Sequence, residues 1–150
     1  MSEQIMPPQQ RTELGDALTA ATIEGELVLQ QCQSCEAVQY PPRDICSKCL
    51  SDQLEWQTVD SKGNVLAITE LLHSHEDYFM AHLPWAIASV QLDSGPILFV
   101  HIDKSEALPN QPVTVFSHID SSGQAVLVAT KTESTELDRE MLLQHIGLKN

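Results

Sequence analysis

The chain has 150 residues, of which 42% are hydrophobic and 19% are charged, which is ordinary for a globular protein with a core. The length predicts one compact domain with a small appendage. The formal net charge of −13 argues against binding to nucleic acid or to an anionic membrane, because both are negatively charged. No apolar run approaches the roughly 20 residues that a membrane-spanning helix needs.

The N-terminal segment predicts a lead, a helix and a strand. Residues 1–11 are polar and contain prolines, which indicates a disordered lead. They lack the basic and then apolar pattern of a secretory signal, so we expect a cytoplasmic protein whose thiols stay reduced. Leu14 and Leu18 have the i, i+4 spacing of a helix. Gly25 ends that pattern, and residues 26–30 predict a short strand.

Four cysteines follow with the spacing C-x2-C, ten residues, C-x2-C. They are Cys32, Cys35, Cys46 and Cys49. Two residues between cysteines let both sulfurs turn toward one point, and two such pairs supply the four thiolates that Zn²⁺ accepts. Iron in a rubredoxin-like site is the chemical competitor, and a reducing cytosol disfavours disulfides. We predict one structural zinc per chain, because a closed four-sulfur site has no open position for a substrate.

Residues 59–132 predict β-structure with turn signals between the strands. The segment from residue 86 to residue 92 has the alternation of a strand. One face carries Ala86, Ala88, Val90 and Leu92, and the other carries Ile87, Ser89 and Gln91. The predicted strands are 65–69, 86–92, 97–102, 113–119 and 125–130. Five short strands in so short a segment favour a small barrel of the OB type over a sandwich.

A terminal helix is predicted over residues 135–148. Thr135 and Asp138 have the spacing of a capping box. The predicted apolar stripe of this helix consists of Leu137, Met141, Leu142 and Ile146. This stripe, like the one on the first helix, could dock on the chain's own barrel or on a partner.

The sequence thus predicts a mainly β protein with an N-terminal helix, a rubredoxin-like zinc ribbon, a five-stranded OB-fold barrel and a C-terminal helix. The predicted boundaries are 1–31 for the lead and helix, 32–58 for the ribbon, 59–132 for the barrel and 133–150 for the last helix. His73 and His75 could face one side of a strand as a second metal site. The sequence specifies no third ligand for them, so we favour a polar loop.

Several short segments match one known family. They are 29–35, the Tyr-Pro-Pro-Arg segment 40–43, 46–49, the Leu-Glu-Trp segment 54–56, 63–65, 84–88 and 92–96. They resemble zinc-ribbon and OB-fold proteins associated with acyl-CoA metabolism, formerly a domain of unknown function. Glu36 departs from the family, which usually has glycine after the second cysteine.

The resemblance implies a non-catalytic accessory subunit. Such a subunit binds or helps to channel acyl-CoA for a thiolase-like partner enzyme. The alternatives are the same role with a MaoC-like enoyl-CoA hydratase, or a zinc-ribbon protein–protein adaptor that does not bind CoA. No catalytic residue is predicted, since all four cysteines are committed to the metal.

The distribution of basic residues bears on the ligand. From residue 64 to residue 130 the only Lys or Arg is Lys104, whereas OB barrels that bind single-stranded nucleic acid need a cationic groove. Nucleic acid is therefore not an expected partner. The phosphates of CoA favour Arg or Lys, so we predict contacts from Arg43, Lys48 and Lys62 or from the partner, with the barrel taking the acyl-pantetheine part. The alternative is that Arg43 pairs with nearby acids and the two lysines are solvated.

Overall fold

The computed structural model describes residues 5–106, 108–132 and 134–149. The first four residues of the predicted lead, and residues 133 and 150 of the predicted C-terminal segment, lie outside these ranges. The helices are α1 (Glu13–Ala21), α2 (Asp77–Met80) and α3 (Glu136–His145). The strands are β1 (Val28–Cys32), β2 (Val38–Gln39), β3 (Leu54–Thr58), β4 (Lys62–Leu71), β5 (Trp85–Leu92), β6 (Ile97–His101), β7 (Pro112–Ile119) and β8 (Ala125–Lys131). Within the described ranges, no helix has the length and hydrophobicity to cross a membrane.

Strands β1, β2 and β3 form a small antiparallel sheet with β1 in the middle. Gln30 of β1 faces Gln39 of β2 on one side and Trp56 of β3 on the other. Strand β1 begins and ends two residues later than the predicted strand 26–30. It extends to Cys32 because the N–H of this cysteine donates to the carbonyl of Ala37 at 2.9 Å. Cys32, the first of the four candidate metal ligands, is therefore held in place by the sheet.

The remaining five strands close into a barrel with the order β4-β5-β6-β8-β7. Strand β4 closes the barrel by pairing with β7, where Lys62 faces Thr114. All neighbouring pairs are antiparallel except β6 and β8, which are parallel at His101 and Val128. This is the five-stranded arrangement of an OB-type barrel, so the predicted fold class is confirmed.

Strand β4 is longer than the predicted strand 65–69. Its pairing with β5 shifts between Val65 and Ala67, which is a β-bulge. A bulge places an extra residue in one strand and interrupts the alternation of its two faces. The sequence pattern therefore revealed only the middle of this strand.

The barrel interior is an apolar core, and two residues before the cysteines extend into it. Val90, Leu98 and Val100 are buried in the barrel, and Leu27 and Leu29 belong to the same cluster. The last two come from the segment that leads into the ribbon. The ribbon and the barrel therefore share one core.

Helix α3 packs on the outside of the barrel over a second apolar cluster. This cluster contains Tyr78, Trp85, Phe116, Val128, Leu142, Leu143 and Leu148. The predicted capping box is confirmed, because the Thr135 and Asp138 side chains each accept from the other's backbone N–H. The predicted stripe is wrong for Leu137 and Met141, which are 66% and 61% exposed. The face that meets the barrel runs instead through Leu142 and Leu143.

The N-terminal segment lies against the barrel. Pro7 is buried, and the Arg11 guanidinium donates to the carbonyl of Pro8 at 2.9 Å, which differs from the predicted disordered lead. Helix α1 begins after Thr12, whose hydroxyl caps it. The Thr19 hydroxyl accepts from the N–H of Ala125 at 3.1 Å, so the helix docks on this chain.

Candidate metal centre

The two cysteine pairs are built on the same backbone turn. In the first turn the N–H of Glu36 donates to the carbonyl of Cys32 at 2.9 Å, and in the second the N–H of Leu50 donates to the carbonyl of Cys46 at 3.0 Å. Glu36 and Leu50 have φ angles of 64° and 65°, in the left-handed region that favours glycine. Each turn thus presents two sulfurs on one side of the backbone.

The four sulfurs form one cluster. The Sγ atoms of Cys32 and Cys49 are 3.6 Å apart, as are those of Cys35 and Cys46. All four lie within 4.8 Å of one another, and none of the cysteines is in a disulfide. Zinc–sulfur bonds of about 2.3 Å in a tetrahedron place sulfurs about 3.8 Å apart. The donor set therefore fits one zinc ion that is fully coordinated by protein sulfur.

The pKa is lowered at two of the four cysteines, where hydrogen bonds from backbone N–H groups outweigh the effect of burial. The N–H of Cys35 lowers the pKa of Cys32 to about 6, and the N–H of Cys49 lowers the pKa of Cys46. The pKa of Cys49 is raised to about 12: the N–H of Ser51 lowers it, but burial and the other three thiols outweigh that effect. Because zinc binds thiolates, these N–H groups prepare part of the site for the metal.

Two buried glutamines hold the loop that carries the second cysteine pair. The Gln39 amide donates to the side-chain oxygen of Gln30 at 2.9 Å. Gln30 also accepts from the N–H of Arg43 at 2.8 Å and donates to its carbonyl at 3.0 Å, while Gln39 accepts from the N–H of Ser47 at 2.9 Å. The sequence analysis missed both residues. The only signal was a polar residue at an inward position of each strand.

The three basic residues predicted to contact a ligand occupy different places. Arg43 lies in the loop held by Gln30, and the N–H of Lys48 points to the sulfur of Cys46 at 3.4 Å. Lys62 is the first residue of β4, on the barrel. All three are exposed, and the ion pairs in the described part of the chain do not involve them. Their contact with a ligand stays a prediction.

The two histidines of the predicted polar loop follow β4. The rings of His73 and His75 are 5.3 Å apart and meet edge to face. Among the described residues, the cysteine cluster is the one group of three or more metal-ligating side chains that lies close together. A second metal site at this loop is therefore not supported.

A cleft of about 220 Å³ opens at one end of the barrel, where β4, β5, β6 and α3 meet. Trp85, His82 and His101 line it, and the sequence analysis singled out neither histidine. Four charged or titratable residues also line the cleft, and they form two pairs. The Lys104 ammonium is 2.8 Å from the Glu70 carboxylate, and Nε2 of His145 is 3.5 Å from the Asp103 carboxylate.

Comparison with known proteins agrees with this geometry. Residues 20–55 match the family model described as "ChsH2, rubredoxin-like zinc ribbon domain". A search of curated protein sequences gives no match. Among solved structures, the chain is similar to a chain of "Ltp2-ChsH2(DUF35) aldolase", with a TM-score of 0.58 and 21% identity. The similarity covers 69% of this chain and 83% of that chain.

The family model identifies the ribbon, and the solved structure shares the fold of the chain, so both agree with the predicted resemblance to zinc-ribbon and OB-fold proteins. The matched segment contains all four cysteines. The prediction of one structural zinc is also confirmed, because a zinc-ribbon model and four clustered sulfurs point to the same ion.

Proposed function

We propose that the chain is a non-catalytic accessory subunit that binds a thiolase-like enzyme and helps to hold or channel its acyl-CoA. The observation that carries this proposal is the likeness to a chain of Ltp2-ChsH2(DUF35) aldolase, whose name joins two proteins in one enzyme. The likeness covers 69% of this chain, so it extends well beyond the ribbon.

The metal centre supports a structural role for the ribbon. Four sulfurs fill the tetrahedral set of a zinc ion and leave no position for a substrate or a reactive water. The zinc therefore holds two turns together, and the reaction is assigned to the partner enzyme.

Exposed apolar side chains support contact with another protein. Phe99 is 67% exposed and Ile97 is 46% exposed, two residues apart on the outer face of β6. Leu137 and Met141 are also exposed, on the outer side of α3. Neighbouring exposed apolar groups are typical of interaction surfaces.

The basic residues support contact with an anionic ligand. Arg43, Lys48 and Lys62 are exposed on a chain with a net charge of −13. Phosphate groups favour such side chains. We assign the phosphates of CoA to these residues or to the partner, and the uncharged arm and acyl chain to the barrel.

Co-purification followed by calorimetry tests the proposal. A tagged chain expressed in its native host should retain a thiolase-like enzyme in stoichiometric amount. The complex should bind acyl-CoA more tightly than the enzyme alone. Recovery of a hydratase-like enzyme instead would establish the alternative partner. If the chain does not change the enzyme's affinity for acyl-CoA, the role that remains is that of a protein–protein adaptor.

Single substitutions then test the basic residues in that complex. Arg43→Ala, Lys48→Ala and Lys62→Ala should each weaken acyl-CoA binding a fewfold, because each removes a charge near the phosphates. Lys149→Ala is the matched control, since Lys149 already pairs with Glu140 at 2.5 Å. If a variant binds acyl-CoA as tightly as the control does, the substituted residue does not belong to the ligand site.

A further inference from the structure

The two histidines in the barrel cleft are held in opposite tautomers. The Trp85 indole N–H can only donate, and it lies 2.8 Å from Nδ1 of His101, so this nitrogen accepts. The Tyr78 carbonyl can only accept, and it lies 2.7 Å from Nδ1 of His82, so that nitrogen donates. Nε2 is the nitrogen of each ring that remains for a ligand. In neutral rings, Nε2 of His101 is a donor and Nε2 of His82 is an acceptor.

His101 is a neutral donor at neutral pH. Burial lowers its pKa to about 4, because a charged ring would lose its solvation there. The carboxylate of Asp120 acts to raise this pKa, and the nearby His118 lowers it further. The ring thus keeps one proton, and the bond from Trp85 places that proton on Nε2.

The charged side chains of the cleft already have partners within the protein. Lys104 pairs with Glu70, and His145 lies beside Asp103. The remaining polar wall consists of two imidazoles and one indole. An anion entering this cleft would have to compete with existing carboxylates for its cations, whereas a neutral ligand would not.

We propose that this cleft binds a secondary amide of the pantetheine arm of acyl-CoA, with Nε2–H of His101 donating to the amide carbonyl and Nε2 of His82 accepting from the amide N–H. An amide is a donor and an acceptor at once, and the cleft offers one of each. The inference rests on the proposed function and assigns the neutral arm to the barrel. A volume of about 220 Å³ holds about seven waters, which is enough for an amide and its methylene neighbours.

Two fragments of the ligand separate this inference from phosphate binding. Pantetheine carries the amides without the nucleotide, and adenosine 3′,5′-bisphosphate carries the nucleotide phosphates without the amides. The chain has two tryptophans, Trp85 in the cleft and Trp56 in the ribbon, so an NMR titration of the full zinc-loaded protein reports on both. Pantetheine should shift the indole N–H signal of Trp85 and leave that of Trp56 unchanged. A Trp85 signal that pantetheine does not move, or that the bisphosphate moves equally, overturns the inference.

Substitutions identify the residues. His82→Ala should weaken pantetheine binding about fivefold to tenfold through the loss of one hydrogen bond, and His101→Phe at least as much. His82 is exposed, so its variant tests the cleft even where His101→Phe disturbs folding. His73→Ala is the control, since His73 lies in the loop after β4 and should bind as wild type. Equal affinities in His82→Ala and His73→Ala reject the amide site, while acyl-CoA binding by the enzyme complex would still uphold the accessory function.

Discussion

The side-chain amide of Gln39 donates to the side-chain oxygen of Gln30 across 2.9 Å, with both residues buried in the zinc ribbon. Each glutamine also bonds to the loop that carries the second cysteine pair, Gln30 to Arg43 and Gln39 to Ser47. The loop is therefore held by hydrogen bonds to two side-chain amides. The ribbon thus combines a metal with a buried polar network.

Removal of this network should destabilise the ribbon. We expect Gln39→Leu to lower the free energy of unfolding by about 2–3 kcal/mol, because it leaves the N–H of Ser47 and the oxygen of Gln30 short of partners. Zinc affinity should fall as well, as measured by competition with a chelator. Gln33→Leu is the control, since Gln33 is exposed on the same ribbon. Equal stability of the two variants in urea would contradict a structural role for the network.

Zinc removal should unfold the ribbon and spare the barrel. Zinc supplies about 10–16 kcal/mol in small ribbon modules, whereas most of the shared apolar core comes from the barrel segment. Trp56 lies in β3 and Trp85 in β5, so chelation should shift the emission of Trp56 to the red and leave that of Trp85 in place. Trp56→Phe and Trp85→Phe variants separate the two signals. Metal analysis should give about one zinc per chain, and a redox-active iron would refute the assignment.

Glycine should be favourable at the two equivalent turn positions. Glu36 and Leu50 both have φ near 65°, which costs a residue with a side chain about 1–2 kcal/mol. We expect Glu36→Gly and Leu50→Gly each to raise the free energy of unfolding by about 0.5–1 kcal/mol after the loss of chain entropy is included. Gln33→Gly, where no positive φ occurs, should lower it instead. A destabilised Glu36→Gly protein would show that the carboxylate contributes more than the backbone strain costs.

His101 should make the folded state sensitive to acid. Its pKa is lowered by burial to about 4, against an ordinary value of about 6.5. Between these two pH values the unfolded chain binds more protons than the folded chain, so stability falls as the pH falls through this window. The loss amounts to about 2 kcal/mol by pH 5. Urea unfolding at pH 7.5 and pH 5 measures this loss of stability. The His101→Phe variant should not show the loss that is due to His101, but it should still show any loss that is due to release of zinc in acid.

Local patterns account for what the sequence predicted well. The four cysteines carry their geometry in their spacing, because two intervening residues fix each turn. The face of β5 with Ala88, Val90 and Leu92 is buried as the alternation indicated. These features depend on neighbours in the chain, and they located the metal site and the barrel.

Contacts between distant residues account for what was missed. The cleft is formed by Trp85 and His101 from two strands and His145 from α3, and no spacing in the sequence connects them. Gln30 and Gln39 gain their role only when the loop beyond them folds back. The environment of these residues is set by tertiary packing, which the spacing of residues along the sequence does not reveal.

The orientation of α3 gives a matched pair of leucines that tests the packing directly. Leu143 is 4% exposed against the barrel, and Leu137 on the same helix is 66% exposed. Leu143→Ala should cost about 2–4 kcal/mol because it opens a cavity in the cluster with Phe116 and Val128. Leu137→Ala should change the free energy of unfolding by less than about 0.5 kcal/mol, since leucine and alanine differ little in helix propensity. Thermal and urea unfolding of both variants measures this difference. Equal losses would mean that both sides of α3 are packed, and a loss at Leu137 alone would restore the orientation that the apolar stripe indicated.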